Sequence, residues 1–235
     1  MLATGVIASG VLEPRRTHLQ GEATDLGWGR FPEKPQLEFI APQEASLLRS
    51  FVYIDPREKV WVAKKGDTTN GASIPRALWS IVGGPFEGNY LNASIVHDAA
   101  CVEKSESSSD VHRMFYEACL CSGVEEKRAR LLYAAVLYRG PRWYFITTAS
   151  SDSSTIVRDV ATAIMTTQEA SRLESAIGDG ELTLQEIESG EGMVIRSILG
   201  DIPSGRRISP AAKAQPNATP ANSPAPPTEA PKRAQ

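Results

Sequence analysis

The sequence predicts an α+β fold: a small antiparallel sheet followed by a three-helix core, with a C-terminal helical extension and a disordered tail. Three observations carry this prediction. Short β-rich runs crowd residues 37–63, and apolar residues recur at helical spacing across 90–139. Eight of the sixteen prolines fall from Asp201 onward, which sets the tail apart. These shifts divide the chain into an irregular lead-in (1–34), a core domain (35–145), a helical extension (146–200) and a Pro/Ala-rich tail (201–235).

The elements follow in order. Leu37–Ile40, Phe51–Ile54 and Val60–Ala63 read as three short strands of one sheet, and Asp55-Pro56-Arg57-Glu58 as the hairpin turn between the last two, with Pro56 setting φ. A glycine-punctuated loop, Gly66 to Ser73, leads into a short helix begun by Pro75 and capped by Ser73. Three helices come next: Tyr90 to Val102, a second after Ser107–Asp110 with Val111, Met114, Phe115 and Ala118 as its stripe, and a third from Val124 to Arg139. Gly140-Pro141 stops the third. Beyond Phe145, Ser150–Ser154 reads as a polar link. Ile156, Val157, Val160, Ile164 and Met165 then read as an amphipathic helix reaching Ile177. Thr183-Leu184-Gln185-Glu186 has the capping-box form and opens a last short helix. The tail holds too little apolar surface to offset its ordering entropy.

Composition narrows the function classes. With 41% hydrophobic residues, 23% charged residues and a formal charge of -3, nothing draws the chain to nucleic acid or an anionic membrane. No run approaches the roughly 18 apolar residues of a membrane span, and the first residues lack the basic flank of a secretory signal. The three cysteines, Cys101, Cys119 and Cys121, are odd in number and awkwardly spaced for bridging, which suits a reduced, cytoplasmic setting.

The chemistry concentrates at the bend between the first and second core helices. Two of the three histidines, His97 and His112, flank the Lys104–Ser109 turn, so a tight helical hairpin makes them face each other. Asp98 follows His97, and Cys101 lies four residues on, along the same helix face. Two chemistries are open. In one, His97 is a general base while Asp98 holds a cation or polarises water. In the other, His97, His112 and a carboxylate or thiol bind a transition metal such as zinc and leave a position for water. Beside both stands a structural role, with His97 satisfying a helix end, His112 capping the next helix and Cys101 acting as a small buried hydrophobe. The loop containing Asn70, Gly71 and Ser73 can offer N–H groups to an anion or carbonyl oxygen, or can be a capped turn that places Pro75 and Trp79 in the core. Gly178-Asp179-Gly180-Glu181 lacks the ligand ladder of a calcium loop.

Several of these strings occur together in one family. Phe51-Val52-Tyr53-Ile54-Asp55-Pro56, Gly66, Asn70-Gly71-Ala72-Ser73-Ile74-Pro75-Arg76, Trp79, Gly84-Pro85, Tyr90, His97-Asp98, Met114-Phe115 and Gly140 to Trp143 resemble the domain-of-unknown-function family numbered 1353, common in phage and prophage genomes. The resemblance spans about residues 37–143. It implies a His-Asp pair as the site, with Asp usual where this chain has Asn70 and His112. A His-Asp pair with an Asp from the next helix is similar to the site of small helical phospholipases A2, where the histidine activates water and the aspartate holds calcium. Here His112 replaces the orienting carboxylate, and no glycine-rich calcium loop or disulfide accompanies it. That departure favours a His-Asp-His metal cluster or loss of activity.

The expectation is therefore a phage- or prophage-type hydrolase domain. His97 and Asp98 are catalytic, and His97, Asp98 and His112 hold a divalent metal, zinc or calcium, with no other cofactor. The site is open to water and acts on a lipid or cell-envelope ester or amide. The alternative is a non-catalytic phage structural or interaction module, its cluster a helix-hairpin staple and its 146–235 extension the docking segment for a protein partner. Either protein would reside in the cytoplasm of an infected or lysogenic host, or in the virion.

Overall fold

The computed structural model describes residues 27–71, 74–147 and 155–200. It is an α+β protein built from small antiparallel sheets and a helical core. Strand β1 (Leu37–Ala41) turns through Pro42-Gln43 into β2 (Glu44–Leu47), and strands β3 (Phe51–Ile54) and β4 (Val60–Ala63) form a second hairpin. The two-residue β5 (Thr68–Thr69) pairs with β2, Ala45 opposite Thr69. The strands at 37, 51 and 60 were expected in one sheet, and the structure divides them between two. Strand β1 instead takes the unforeseen β2 as its antiparallel partner, Leu37 opposite Leu47, while Arg30 bridges Ile54 at the edge of β3 with N···O distances of 2.9 and 3.0 Å.

The β3–β4 hairpin turns its Phe51, Tyr53, Trp61 and Ala63 face to the core. Phe31 stacks on Phe51 at 5.3 Å, and Tyr53 donates to the Trp28 carbonyl, so the end of the lead-in packs on this sheet. The turn at Asp55 holds as expected. Its buried carboxylate accepts from the backbone N–H of Arg57 (2.8 Å) and Lys59 (3.0 Å) and from the Trp61 indole (3.1 Å).

A 3-10 turn (Arg76–Leu78) and the short α1 (Trp79–Val82) precede three longer helices: α2 (Leu91–Glu103), α3 (Ser108–Cys121) and α4 (Glu126–Arg139). Their buried stripes, from Ala93 through Tyr138, join the β3–β4 face in one core. Gly140 ends α4 as expected, its N–H bonded to the Val136 carbonyl. The chain then enters β6 (Arg142–Thr147), which pairs in full antiparallel register with β7 (Thr155–Val160).

The expected helix from Ile156 to Ile177 is thus corrected. Its first part is strand, because β-branched Ile156, Val157 and Val160 find cross-strand partners in Ile146, Phe145 and Arg142. Helix α5 (Thr167–Gly178) starts only at the Thr166–Glu169 capping box. The box at Thr183 does open a helix, α6 (Leu184–Ser189), and an unanticipated α7 (Met193–Leu199) follows. Arg139 ties these to the core, bonding Glu169 at 2.7 Å and the Leu199 carbonyl at 3.0 Å. Among the described residues no helix is long and apolar enough to cross a membrane. The expected Ser73 cap, the Ser150–Ser154 link and the 201–235 tail lie outside the described residues.

Burial pushes the Asp55 carboxyl up, but hydrogen bonds from Trp61, Lys59 and Arg57 outweigh it and leave the group below its usual range. A depressed carboxyl stabilises the fold above its unfolded value and loses that contribution as pH falls through the folded one. Asp55→Asn is expected to cost about 1–3 kcal/mol at neutral pH by urea denaturation, and measurably less at pH 3. An equal cost at both would show that the charge is irrelevant.

Candidate functional site

The site is built where α2 hands over to α3. Lys104 takes the left-handed conformation (φ 50°) that turns the chain off α2, and Ser107 starts α3 by accepting from the Asp110 N–H at 3.1 Å. The short bend lays the last turns of α2 against the first of α3. His97 and His112 consequently meet, with His97 Nε2 2.9 Å from His112 Nδ1.

The protons follow from the partners. His112 Nε2 lies 2.9 Å from the Pro141 carbonyl, which can only accept, so Nε2 carries a hydrogen. In a neutral His112 the other nitrogen, Nδ1, is then a lone pair, and His97 Nε2 must donate to it. His97 Nδ1 faces Asp98 Oδ1 at 3.8 Å. Burial presses the His97 imidazolium downward, but Cys101 and Asp98 more than offset this and raise its pKa. Burial, and then the charge of His97, hold His112 well below its ordinary value. The partners thus push the two rings apart, His97 toward the charged form and His112 toward the neutral one.

The rings are not open to water, contrary to expectation. His97 is 0% and His112 1% exposed, with Phe115 centred 4.7 Å from the first and Trp143 6.4 Å from the second. Phe115 of α3 covers His97, and the β6–β7 hairpin covers His112. Its Trp143 is buried and donates to the Glu106 carbonyl at 2.8 Å, drawing β6 across the end of the helical hairpin.

Two neighbours do reach solvent. Asp98 and the half-buried Cys101 line a groove of about 440 Å³, together with Thr68, Asn70, Lys104, Arg142 and Asp159. Asp98 Oδ2 accepts from Thr69 Oγ1 (2.6 Å) and the Asn70 N–H (3.1 Å), so the carboxylate holds the loop after β5 while facing the imidazole with its other oxygen. Gly71 follows at φ +88°, and a side chain there would strike Pro85. Lys104 Nζ and Asp159 Oδ1, 2.5 Å apart, pair across the groove.

Sequence reasoning placed His97, Asp98 and His112 together, and the structure brings the two imidazoles into contact with Asp98 beside them. Among the described residues, donor atoms of His97, Cys101 and His112 all lie within 4.8 Å of one another. Cys101 Sγ is 3.6 Å from His97 Nε2. Of the loop residues, Asn70 and Gly71 lie at the groove side through Asp98 and Thr69, whereas Ser73 is outside the described residues. Three contributors were missed: Thr69, the Pro141 carbonyl and the hairpin wall. A backbone carbonyl leaves no mark in residue identity, while the β-branched run at 155–160 was a usable signal.

Residues 45–136 match the model of a family described as Protein of unknown function (DUF1353). This is the family that the sequence motifs resemble. The match runs from β2 into α4 and takes in both histidines, Asp98 and Cys101. Among curated proteins, the chain is 37% identical over 144 residues to "Uncharacterized protein y4jT" of Sinorhizobium fredii (strain NBRC 101917 / NGR234), covering 60% of this chain and 40% of that protein. It is 39% identical over 108 residues to "Uncharacterized protein y4iH" of the same strain, covering 45% of each. The chain thus spans less than half the length of these relatives. No solved structure matches.

The proton assignment is open to nitrogen-15 NMR of the imidazoles. At pH 7 one ring should be doubly protonated and the other a neutral Nε2–H tautomer, and the doubly protonated ring should lose its proton only well above pH 7. Two rings titrating together near 6.5 would contradict the assignment.

Proposed function

We propose that the groove is a hydrolytic site in which the His97–Asp98 pair, backed by His112, activates water, assisted by a divalent metal at the imidazole pair. The observation that supports this is the position of Asp98 and Cys101. They line a groove large enough for a small substrate segment and touch buried imidazoles whose protons are fixed by their partners. The metal has a physical motive. With the His97 pKa raised, less of that ring is in the neutral form that could take a proton from water. A divalent ion would supply a bound water of lowered pKa.

In this reading Asp98 orients His97 through Nδ1, and the Thr69–Asn70 turn keeps the carboxylate in place. Lys104 and Arg142 add cationic groups to the groove wall, suited to the developing oxyanion of an ester or amide. A lipid or cell-envelope ester or amide is the substrate class we favour, from the phage and prophage setting of the resembled family. That setting also motivates a location in the host cytoplasm or the virion.

One observation favours a second reading. Complete burial of both imidazoles is what a staple between α2 and α3 requires, and the protein would then be an interaction module that docks a partner through residues 146–235.

Assays of the full chain on aryl esters, anilides and phospholipid vesicles separate the two. The hydrolase reading expects turnover with at least one class, and Asp98→Asn should lower kcat by about 10²–10⁴-fold with KM little changed and the circular dichroism intact. Absence of turnover in all classes, with His97→Gln and Asp98→Asn merely lowering the thermal midpoint, would leave the staple.

A further inference from the structure

We propose that His97 Nε2, His112 Nδ1 and Cys101 Sγ form a three-ligand centre for a thiophilic transition ion of the zinc class, with Asp98 as the partner behind His97 rather than a ligand. This deepens the hydrolytic reading, on which it rests for its catalytic meaning. It revises the expected ligand set of His97, Asp98 and His112, and decides between the two metals considered.

The donor set argues for it. Calcium seeks six to eight oxygen ligands, and none of the three converging atoms is oxygen. Two imidazole nitrogens and a sulfur suit zinc and its neighbours. With metal–nitrogen bonds of about 2.0–2.1 Å and metal–sulfur bonds of about 2.3 Å, a tetrahedral centre has nitrogen-to-sulfur edges of roughly 3.6 Å and nitrogen-to-nitrogen edges of roughly 3.3 Å. Cys101 Sγ already stands 3.6 Å from His97 Nε2. The two nitrogens are 2.9 Å apart and need to part by only a few tenths of an ångström. The three donor atoms lie within 4.8 Å of one another, so the edge from the sulfur to His112 Nδ1 closes by at most about 1.2 Å as the ion binds.

The outer contacts support it independently. Metal-binding histidines usually donate their far N–H to a carboxylate or a backbone carbonyl, which fixes the ring and its tautomer. Here His97 presents Nδ1 to Asp98, and His112 donates Nε2–H to the Pro141 carbonyl. Nε2 of His97 and Nδ1 of His112 are thus the nitrogens left for the ion, with Cys101 Sγ 3.6 Å from the first. Asp98 is poorly placed to be a ligand itself, since Oδ2 is engaged by Thr69 and Asn70 and the ring nitrogen nearest Oδ1 is Nδ1, at 3.8 Å. The ion takes the place of the proton between the rings and of the thiol proton, both of which leave to solvent. Entry is through the groove, which Cys101 lines.

The test uses the full chain stripped of metal by a chelator and dialysed. Cobalt(II) should bind one equivalent and show a thiolate-to-cobalt absorption in the near ultraviolet with visible bands of tetrahedral strength. Zinc should displace it stoichiometrically and raise the thermal midpoint. Cys101→Ser should abolish the near-ultraviolet absorption, and Asp98→Asn should keep it while weakening zinc affinity by about 10–100-fold. Wild-type protein that binds no cobalt, or binds it without the thiolate absorption, overturns the proposal even if the variants fail to fold. So does an unchanged spectrum in Cys101→Ser. Stoichiometric metal without hydrolysis on any substrate removes the hydrolase reading alone. Hydrolysis that survives exhaustive chelation removes the metal centre alone.

Discussion

The contact between His97 and His112 constrains everything around it. Two imidazoles removed from water need partners for four ring nitrogens, and a buried polar group left unmatched costs about 1–3 kcal/mol. The chain meets this demand with groups from three different places: Asp98 and Cys101 on α2, the ring of the opposite helix, and the carbonyl of Pro141 after α4. The angle between α2 and α3, the path of the chain leaving α4, and the proton positions are all parts of one arrangement. Phe115 and Trp143 then shield it, which strengthens every electrostatic term inside.

Around this pair the fold assembles a wall from segments that are short in themselves. The two-residue β5 is held by β2 on one side and by the Asp98 carboxylate on the other, so a strand too small to persist alone becomes part of the groove. The β6–β7 hairpin closes the opposite side, with Trp143 bonded to Glu106, and Lys104 paired with Asp159. The left-handed turn at Lys104 serves both purposes: it ends α2 and points a cation at the hairpin.

Much of this was legible in the residues. The helices from Tyr90 to Arg139 follow from their 3.6-residue spacing and from Gly140-Pro141, and the meeting of His97 with His112 follows from the shortness of the bend between them. The turn at Asp55 was equally plain. Other features depend on long-range partners that spacing does not encode. Whether Ile156, Val157 and Val160 sit on a helix or a strand is decided by Arg142–Thr147 lying alongside, and the partner of β1 is decided by its own return strand, β2. The burial of the imidazoles belongs to the same class, since it depends on where Trp143 comes to rest. The rank of Cys101 over Asp98 among the donors was available only as an i to i+4 spacing, and side-chain geometry was needed to decide it.

The stretch matched by the family ends at residue 136, one turn short of the end of α4. The acceptor for His112 is five residues further on, and the groove residues Arg142, Asp159 and Val160 lie beyond that. A fragment trimmed to the matched boundaries would keep every titratable side chain of the cluster. It would lose the group that sets the tautomer, and with it the Trp143 ring that lies against His112. Shared residues alone therefore understate how much polypeptide the site requires.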